Sequence, residues 1–265
     1  MDFGLVKWHL KKPVRTVQSF FPSLKQTKDQ FYHSYRRLRR IPSDHDFSAI
    51  ELLKDRLHGT YVDVGANTGQ SIESIKLYAP DAKIVSFEPN PELVAMLTSR
   101  YKSDPNVTIR GVGLSDTVTT LNLHVPVYRG FVYDGLASMD IAGARSWISS
   151  ETVYFFSPEH LKVRSYECAI ETLDMQDIDN PIFIKIDVEG HEHQVINGAI
   201  KTLSKFEPVL LIESLLDKPG LLDHLKSLGY EPYYFEHSRF IAGFPTTGEA
   251  RNTFLVTRRQ MDKIR

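Results

Sequence analysis

The chain has 265 residues, 42% of them hydrophobic and 25% charged, which leaves room for one large α/β domain or a domain with an appendage. A net charge of −1 provides no bulk attraction for nucleic acid, and one cysteine, Cys168, excludes an intrachain disulfide framework and a CxxC metal site. No run of about 18 apolar residues is present to span a membrane, and no apolar core of signal-peptide length opens the chain, so a cytoplasmic protein with a reduced thiol is expected.

Residues 1–48 stand apart. Positions 1–40 hold ten Lys or Arg against two acids, Asp2 and Asp29, interleaved with Phe3, Trp8, Phe20, Phe21, Phe31, Tyr32 and Tyr35. This is expected to be a basic, aromatic-rich helical appendage to a domain over 49–265. Two readings stay open: a helix packed on the domain with a solvated basic face, or a surface for an anionic partner, including peripheral contact at the inner face of a membrane.

Phe47, Ile50, Leu53 and Leu57 then form one helical stripe that His58-Gly59 ends. Tyr61 to Val64 reads as a buried strand. It runs into a glycine turn and a helix with Ile72, Ile75 and Ala79 at helical spacing. Lys83 to Phe87 is a second strand, and Asn90-Pro91 opens the next helix. Asn106 to Arg110 is a third strand, leading to Gly113-Leu114-Ser115-Asp116. Leu121 to Val125 alternates as a short strand. Pro126 to Lys162 is irregular, and a connection this long is expected to act as a substrate lid. Its Tyr128, Arg129, Tyr133, Trp147 and Tyr154 suit either stacking on a sugar or filling the lid's own core. Strand character returns at Val163 to Ile170. Pro181 to Asp187 is almost wholly apolar, as a central parallel strand must be. A helix carrying Val195, Ile196, Ala199 and Leu203 follows it. Pro208 to Ile212 ends at Glu213, and Gly229 closes a helix over Leu221 to Leu228. Tyr230 to Phe235 and Thr253 to Thr257 are the last strands. This alternation predicts a doubly wound, mostly parallel, Rossmann-like sheet.

Strand, glycine turn and helix is how such sheets hold nucleotide-like ligands. Glu88 lies 19 positions after Gly69 and ends the second strand, the spacing of a carboxylate that accepts ribose hydroxyls. Pro89 stops that strand's ladder. The turn is Gly65-x-Asn67-x-Gly69 with Asp63 beside it. A carboxylate there repels pyrophosphate but attracts the ammonium of a methionine moiety and tolerates a sulfonium, which favours S-adenosyl-L-methionine over a nicotinamide dinucleotide. Asp63 could instead cap turn amides. Asp63, Glu88, Asp187 and Glu213 each end an apolar strand, so four acids share one rim.

Five segments in order resemble the FkbM family of S-adenosylmethionine-dependent methyltransferases: Val62 to Gly69, Phe87-Glu88-Pro89-Asn90, Gly113 to Asp116, Thr172-Leu173-Asp174 and Ile184 to Glu192. The likeness covers roughly residues 58–258. It implies a seven-stranded class I methyltransferase sheet with one antiparallel edge strand, and O-methylation of a hydroxyl on a sugar, glycan, glycolipid or similar metabolite. Carried onto this chain, Asp63, Gly65, Ala66, Asn67 and Gly69 would cradle the methionine part. Glu88, with Pro89 and Asn90 beside it, would hold the ribose, and Ser115 and Asp116 would lie near adenine.

Methyl transfer to an alcohol gains from a general base. Asp187, which ends the central strand, ranks first as a site residue for both cofactor and chemistry. His191 follows as the base: it opens a helix, and a helix N-terminus disfavours imidazolium. It could instead merely cap that helix. Glu213 is a further candidate, and Glu189 reads either as another or as a carboxylate turned back to loop amides. These acids could hold a hard divalent cation, but no dedicated metal spacing exists, so none is expected. Lys185 would suit a 2′-O RNA methyltransferase only with a second lysine and a glutamate, and nucleic acid is not an expected partner. The expected acceptor is a small molecule or glycan; a homo-oligomer stays open. The alternatives are a nicotinamide-dependent oxidoreductase and a non-catalytic module at a membrane.

Overall fold

A computed structural model describes residues 3–23, 35–36, 38–188, 190–213, 215–218, 220–245 and 252–265, with the side chains of 3–11 and 217 excepted. Glu189, and the aromatics Phe3, Trp8, Phe31 and Tyr32, therefore lie outside the described side chains. In chain order the elements are α1 (Phe3–Phe20), α2 (Ile50–Arg56), β1 (Thr60–Val64), α3 (Gln70–Tyr78), β2 (Lys83–Phe87), α4 (Pro91–Arg100), β3 (Val107–Arg110), β4 (Gly113–Leu114), β5 (Thr119–Tyr128), β6 (Phe131–Val132), α5 (Ile141–Ser146) and β7 (Leu161–Glu171). Then come β8 (Pro181–Ile186), α6 (Glu192–Asn197), α7 (Ile200–Phe206), β9 (Val209–Glu213), α8 (Leu221–Ser227), β10 (Tyr230–Glu236), β11 (Arg239–Ala242), β12 (Asn252–Thr257) and α9 (Arg258–Ile264).

The chain divides into two compact units, residues 1–39 with 120–168 and residues 40–119 with 169–265. The larger unit is built on an eight-stranded sheet in the order β11-β10-β12-β9-β8-β1-β2-β3. Strands β3, β2, β1, β8 and β9 are parallel neighbours. Strand β12 runs against them between β9 and β10, so the antiparallel strand expected at an edge is interior. The sheet has one strand more than the expected seven: β11 folds back on β10 as a hairpin. Its two loop residues, His237 and Ser238, have φ of 51° and 59°. That is the left-handed pair a tight hairpin requires, usually made by Asn-Gly or Asp-Gly; no such pair marks it in the sequence.

Side chains alternate across these strands and bury both faces. Tyr61, Phe183, Leu211 and Phe254 pack with Ile50, Leu53, Ile72, Ile75 and Met261 from α2, α3 and α9. Val62, Val64, Ile184, Ile186 and Ile212 pack on the other face with Val195, Leu203, Leu221 and Leu225 from α6, α7 and α8. The helix expected as one piece after β8 breaks at Gly198. A Cβ there would stand 1.9 Å from the Ser115 carbonyl oxygen. Asp174 restarts the helix as α7 by accepting from the amides of Lys201 at 2.9 Å and Thr202 at 2.8 Å.

In the smaller unit, β5 and β6 form a hairpin turning at Arg129-Gly130. Tyr128, Phe131, Tyr133, Ile148 and Val153 make its core, so two of the aromatics read as sugar-stacking candidates are core residues here. Helix α1 packs on it: the Tyr133 hydroxyl donates to the Arg15 carbonyl at 3.1 Å, and Thr16 Oγ1 accepts from the Tyr154 amide at 2.9 Å. Over residues 12–20 the exposed side chains are Pro13, Val14, Val17 and Phe20, all apolar.

Candidate active site

The site is built within the larger unit, at the carboxyl ends of the parallel strands. The turn after β1 holds Gly65 at φ 86° and Gly69 at φ 88°, with Asn67 between them at φ 48°. Asparagine tolerates that conformation better than most residues. Both glycines also answer to packing. A Cβ on Gly65 would lie 1.9 Å from the Asp187 carbonyl oxygen, and one on Gly69 2.9 Å from Leu97. The turn's amides are spent inside the protein. Those of Gly65 and Ala66 bond the Phe87 carbonyl at 3.1 and 3.0 Å, and that of Gly69 bonds Ala66 at 2.8 Å.

The Asn67 amide donates to Glu88 Oε2 at 2.8 Å, and the Asn90 amide to Glu88 Oε1 at 2.9 Å. Glu88 thereby ties the β1 turn to the start of α4. Burial pushes its pKa up to about 7, against the pull of those two amides. Pro89 follows the end of β2 and stands beside Gly113, while Asn90 caps α4 through Oδ1 at 3.0 Å from the Glu92 amide.

Asp63 pairs in register with Ser86 on β2 and Lys185 on β8, so the three side chains line one row. Its carboxylate is wholly buried. Oδ2 accepts from Ser86 Oγ at 2.6 Å, and Oδ1 faces Lys185 Nζ at 3.5 Å, a charge contact longer than a good hydrogen bond. Its partners are thus a hydroxyl and an ammonium, not turn amides. Lys185 also donates to the Gly65 carbonyl at 3.1 Å and meets Asp187 Oδ2 at 3.2 Å. Burial alone would lower the lysine's pKa, but the two carboxylates override it and hold it above its ordinary value. Two acids around one lysine leave one negative charge over, and it reaches the rim at Asp187, whose side chain is 35% exposed. Burial would raise Asp187, yet Lys185, a hydrogen bond from Glu213 and the charge of Lys218 hold it below the usual carboxylate range.

Behind this pair, Lys218 Nζ meets buried Glu192 Oε1 at 2.9 Å and donates to the Glu213 carbonyl at 2.6 Å. His191 precedes α6 but makes no side-chain cap. Its Nε2 lies 3.0 Å from Ser115 Oγ, which in turn lies 3.2 Å from Asp116 Oδ1. Burial lowers the histidine's pKa, against the pull of Asp116 and Glu192, so the ring is neutral at pH 7.

The structure therefore joins Asp63 and Asp187 through Lys185, with Glu213 bonded to Asp187, joins Gly65 to Gly69 with Glu88 and Asn90, and sets His191 on Ser115. Lys218 and Glu192 went unread because their partners lie on separate elements. Lys185 had a signal: a charge inside an apolar central strand demands a counter-ion. Among the described residues no group of three or more His, Cys, Asp or Glu is arranged to hold a metal ion.

A family model described as a methyltransferase FkbM domain matches residues 63–249. The hexuronic acid methyltransferase AglP of Haloferax volcanii is 23% identical over 175 residues, which is 66% of this chain but only 64% of that protein, under two thirds of its length. Among solved structures, the methyltransferase FkbM of Methylobacillus flagellatus KT aligns with a TM-score of 0.47 and 15% identity over 95% of this chain and 57% of that one. The SAH-bound methyltransferase PaMTH1 of Podospora anserina aligns with a TM-score of 0.40 and 12% identity over 87% and 86%.

Proposed function

The chain belongs to the FkbM methyltransferase family, and from that membership we propose that it is an S-adenosylmethionine-dependent O-methyltransferase acting on a hydroxyl of a sugar, glycan, glycolipid or similar metabolite. The observation that carries the cofactor reading is the turn after β1. The amides of Gly65, Ala66, Asn67 and Gly69 all bond protein acceptors. A pyrophosphate needs such amides pointing at it, and here the carboxylates of Asp187 and Glu88 stand nearby instead. This favours a cationic donor over a nicotinamide dinucleotide.

The residues fit that donor. Glu88 has an acceptor lone pair left on each oxygen for ribose hydroxyls. Asp187 offers the surplus negative charge for the ammonium, and Ser115 and Asp116 would supply polar atoms for the adenine edge. S-adenosylmethionine supplies, when bound, an electrophilic methyl group on a positively charged sulfur. The chain's own residues align the acceptor and take its proton. His191, kept neutral by burial, accepts the proton that the hydroxyl sheds as it becomes an ether. Asp187 and Glu213, at the ends of β8 and β9, are the other carboxyl groups that could take it. The name of the Haloferax volcanii relative supports a sugar-type acceptor.

The test is calorimetric titration with S-adenosylhomocysteine, followed by transfer of a labelled methyl group into uronic acids, neutral sugars and glycolipids. Saturable binding with ether formation is expected. Absence of binding, with a nicotinamide cofactor raising Tm instead, would overturn the reading.

A further inference from the structure

We propose that the smaller unit carries a docking face for an anionic lipid bilayer, made by the outer side of α1 and the Tyr154-Phe155 turn. Among the described residues, thirteen large apolar side chains are exposed, and six of them are here: Val14, Val17, Phe20, Phe21, Tyr154 and Phe155. Val14, Val17 and Phe21 recur at helical spacing. Phe155 is the most exposed of the six at 82%, held out by a backbone φ of 54°.

Polar contacts fasten α1 to the segment that carries Tyr154 and Phe155. Lys12 Nζ bonds the Ser150 carbonyl at 2.7 Å and lies 4.5 Å over the Tyr154 ring. At the other end Arg129 lies 4.8 Å over the Phe20 ring. Helix α1 is thus held by its inner residues, Arg15, Thr16 and Ser19, and its outer side is left over.

Charge decides the occupant. The 18 residues of α1 include Lys7, Lys11, Lys12 and Arg15 and no acid. A second copy docked by two-fold symmetry would bring those cations against one another. An anionic membrane surface attracts a helix of that composition, and apolar side chains with a cation beside them, as Arg129 lies over Phe20, are what a helix lying in the headgroup region presents. No described helix is long and apolar enough to cross the membrane, so the contact is with its surface.

Flotation of the full chain tests this, using phosphatidylcholine vesicles with and without about one third phosphatidylglycerol. The protein should float with the anionic vesicles only. Val17→Asp and Phe155→Ser should each weaken flotation roughly ten-fold, with Tm and S-adenosylhomocysteine affinity unchanged. Equal flotation on neutral vesicles, no flotation on anionic ones, or unchanged flotation of both variants would overturn the proposal. So would a wild-type dimer that Val17→Asp converts to a monomer, because that face would then belong to a second copy. Loss of homocysteine-adduct binding in the wild type would count against the methyltransferase reading alone.

Discussion

Asp63 and Lys185 stand opposite each other on adjacent parallel strands, and their charged ends meet 3.5 Å apart with the carboxylate wholly buried. Because β1 and β8 are central strands covered on both faces, neither group has water to fall back on. The pair fixes the first turn of the site: the same ammonium holds the Gly65 carbonyl and reaches Asp187. The acid at the end of β1 thus acts as an anchor for the lysine, and the lysine passes the charge relationship to the rim.

Removing one partner leaves the other charged and buried. Lys185→Met is expected to cost about 3–5 kcal/mol of stability. Asp63→Asn in the same chain should recover part of that loss, because the orphaned carboxylate is gone. Urea denaturation of the two single variants and the double variant measures the coupling. Strictly additive losses would mean that the pair is not an interacting unit.

Glu88 predicts a pH signature with a definite sign. Its folded pKa is about 7 against an ordinary 4.5, so between those values the folded state binds more protons than the unfolded one. Stability therefore falls as pH rises across that window, by up to about 3 kcal/mol. Glu88→Gln should flatten this fall. Cofactor binding runs the other way, since ribose hydroxyls donate to the ionised form. S-adenosylhomocysteine affinity should rise by up to about ten-fold per pH unit below pH 7, with a proton released on binding. Calorimetry in buffers of different ionisation heat reads that proton directly.

Much of the sheet was legible because burial on both faces writes itself as apolar runs, as at Ile182 to Ile186 and Val209 to Ile212. The rim was legible because acids follow those runs. What sequence does not contain is which strand lies beside which. Ser86, Asp63 and Lys185 become one row only when β2, β1 and β8 are neighbours. Lys218 finds Glu192 only once β9 lies beside β8. Hairpin β10–β11 escaped because His237-Ser238 adopts a glycine-like conformation without glycine, and the outward apolar side of α1 was masked by the basic residues interleaved with it.

Two glycines with nearly the same backbone angle separate strain from space. Gly65 has φ 86° and would put a Cβ 1.9 Å from the Asp187 carbonyl; Gly190 has φ 92° and open space around it. Gly190→Ala should lose about 1–2 kcal/mol, the left-handed penalty alone. Gly65→Ala adds a collision with backbone, so the β1 turn must leave β8. It should lose more stability than Gly190→Ala and abolish S-adenosylhomocysteine binding. Thermal melts and calorimetry on the two variants distinguish the outcomes, and equal effects would mean that the turn yields without cost.

His191 should set the acid limb of the rate profile. Burial holds its pKa below the ordinary histidine value, so activity is retained somewhat below the pH at which a solvated imidazole would protonate. His191→Gln keeps a polar group within reach of Ser115 but cannot take a proton at neutral pH. Its kcat should drop by about 10²–10⁴-fold, with S-adenosylhomocysteine affinity nearly unchanged. Ser115→Ala leaves the base in place and removes the hydroxyl 3.0 Å from Nε2. It should move the acid limb and leave the plateau rate within a few-fold of wild type. If His191→Gln retained its rate while Asp187→Asn lost it, the proton would be going to the Asp187–Glu213 pair, and the two carboxyl groups would then carry the acid limb together.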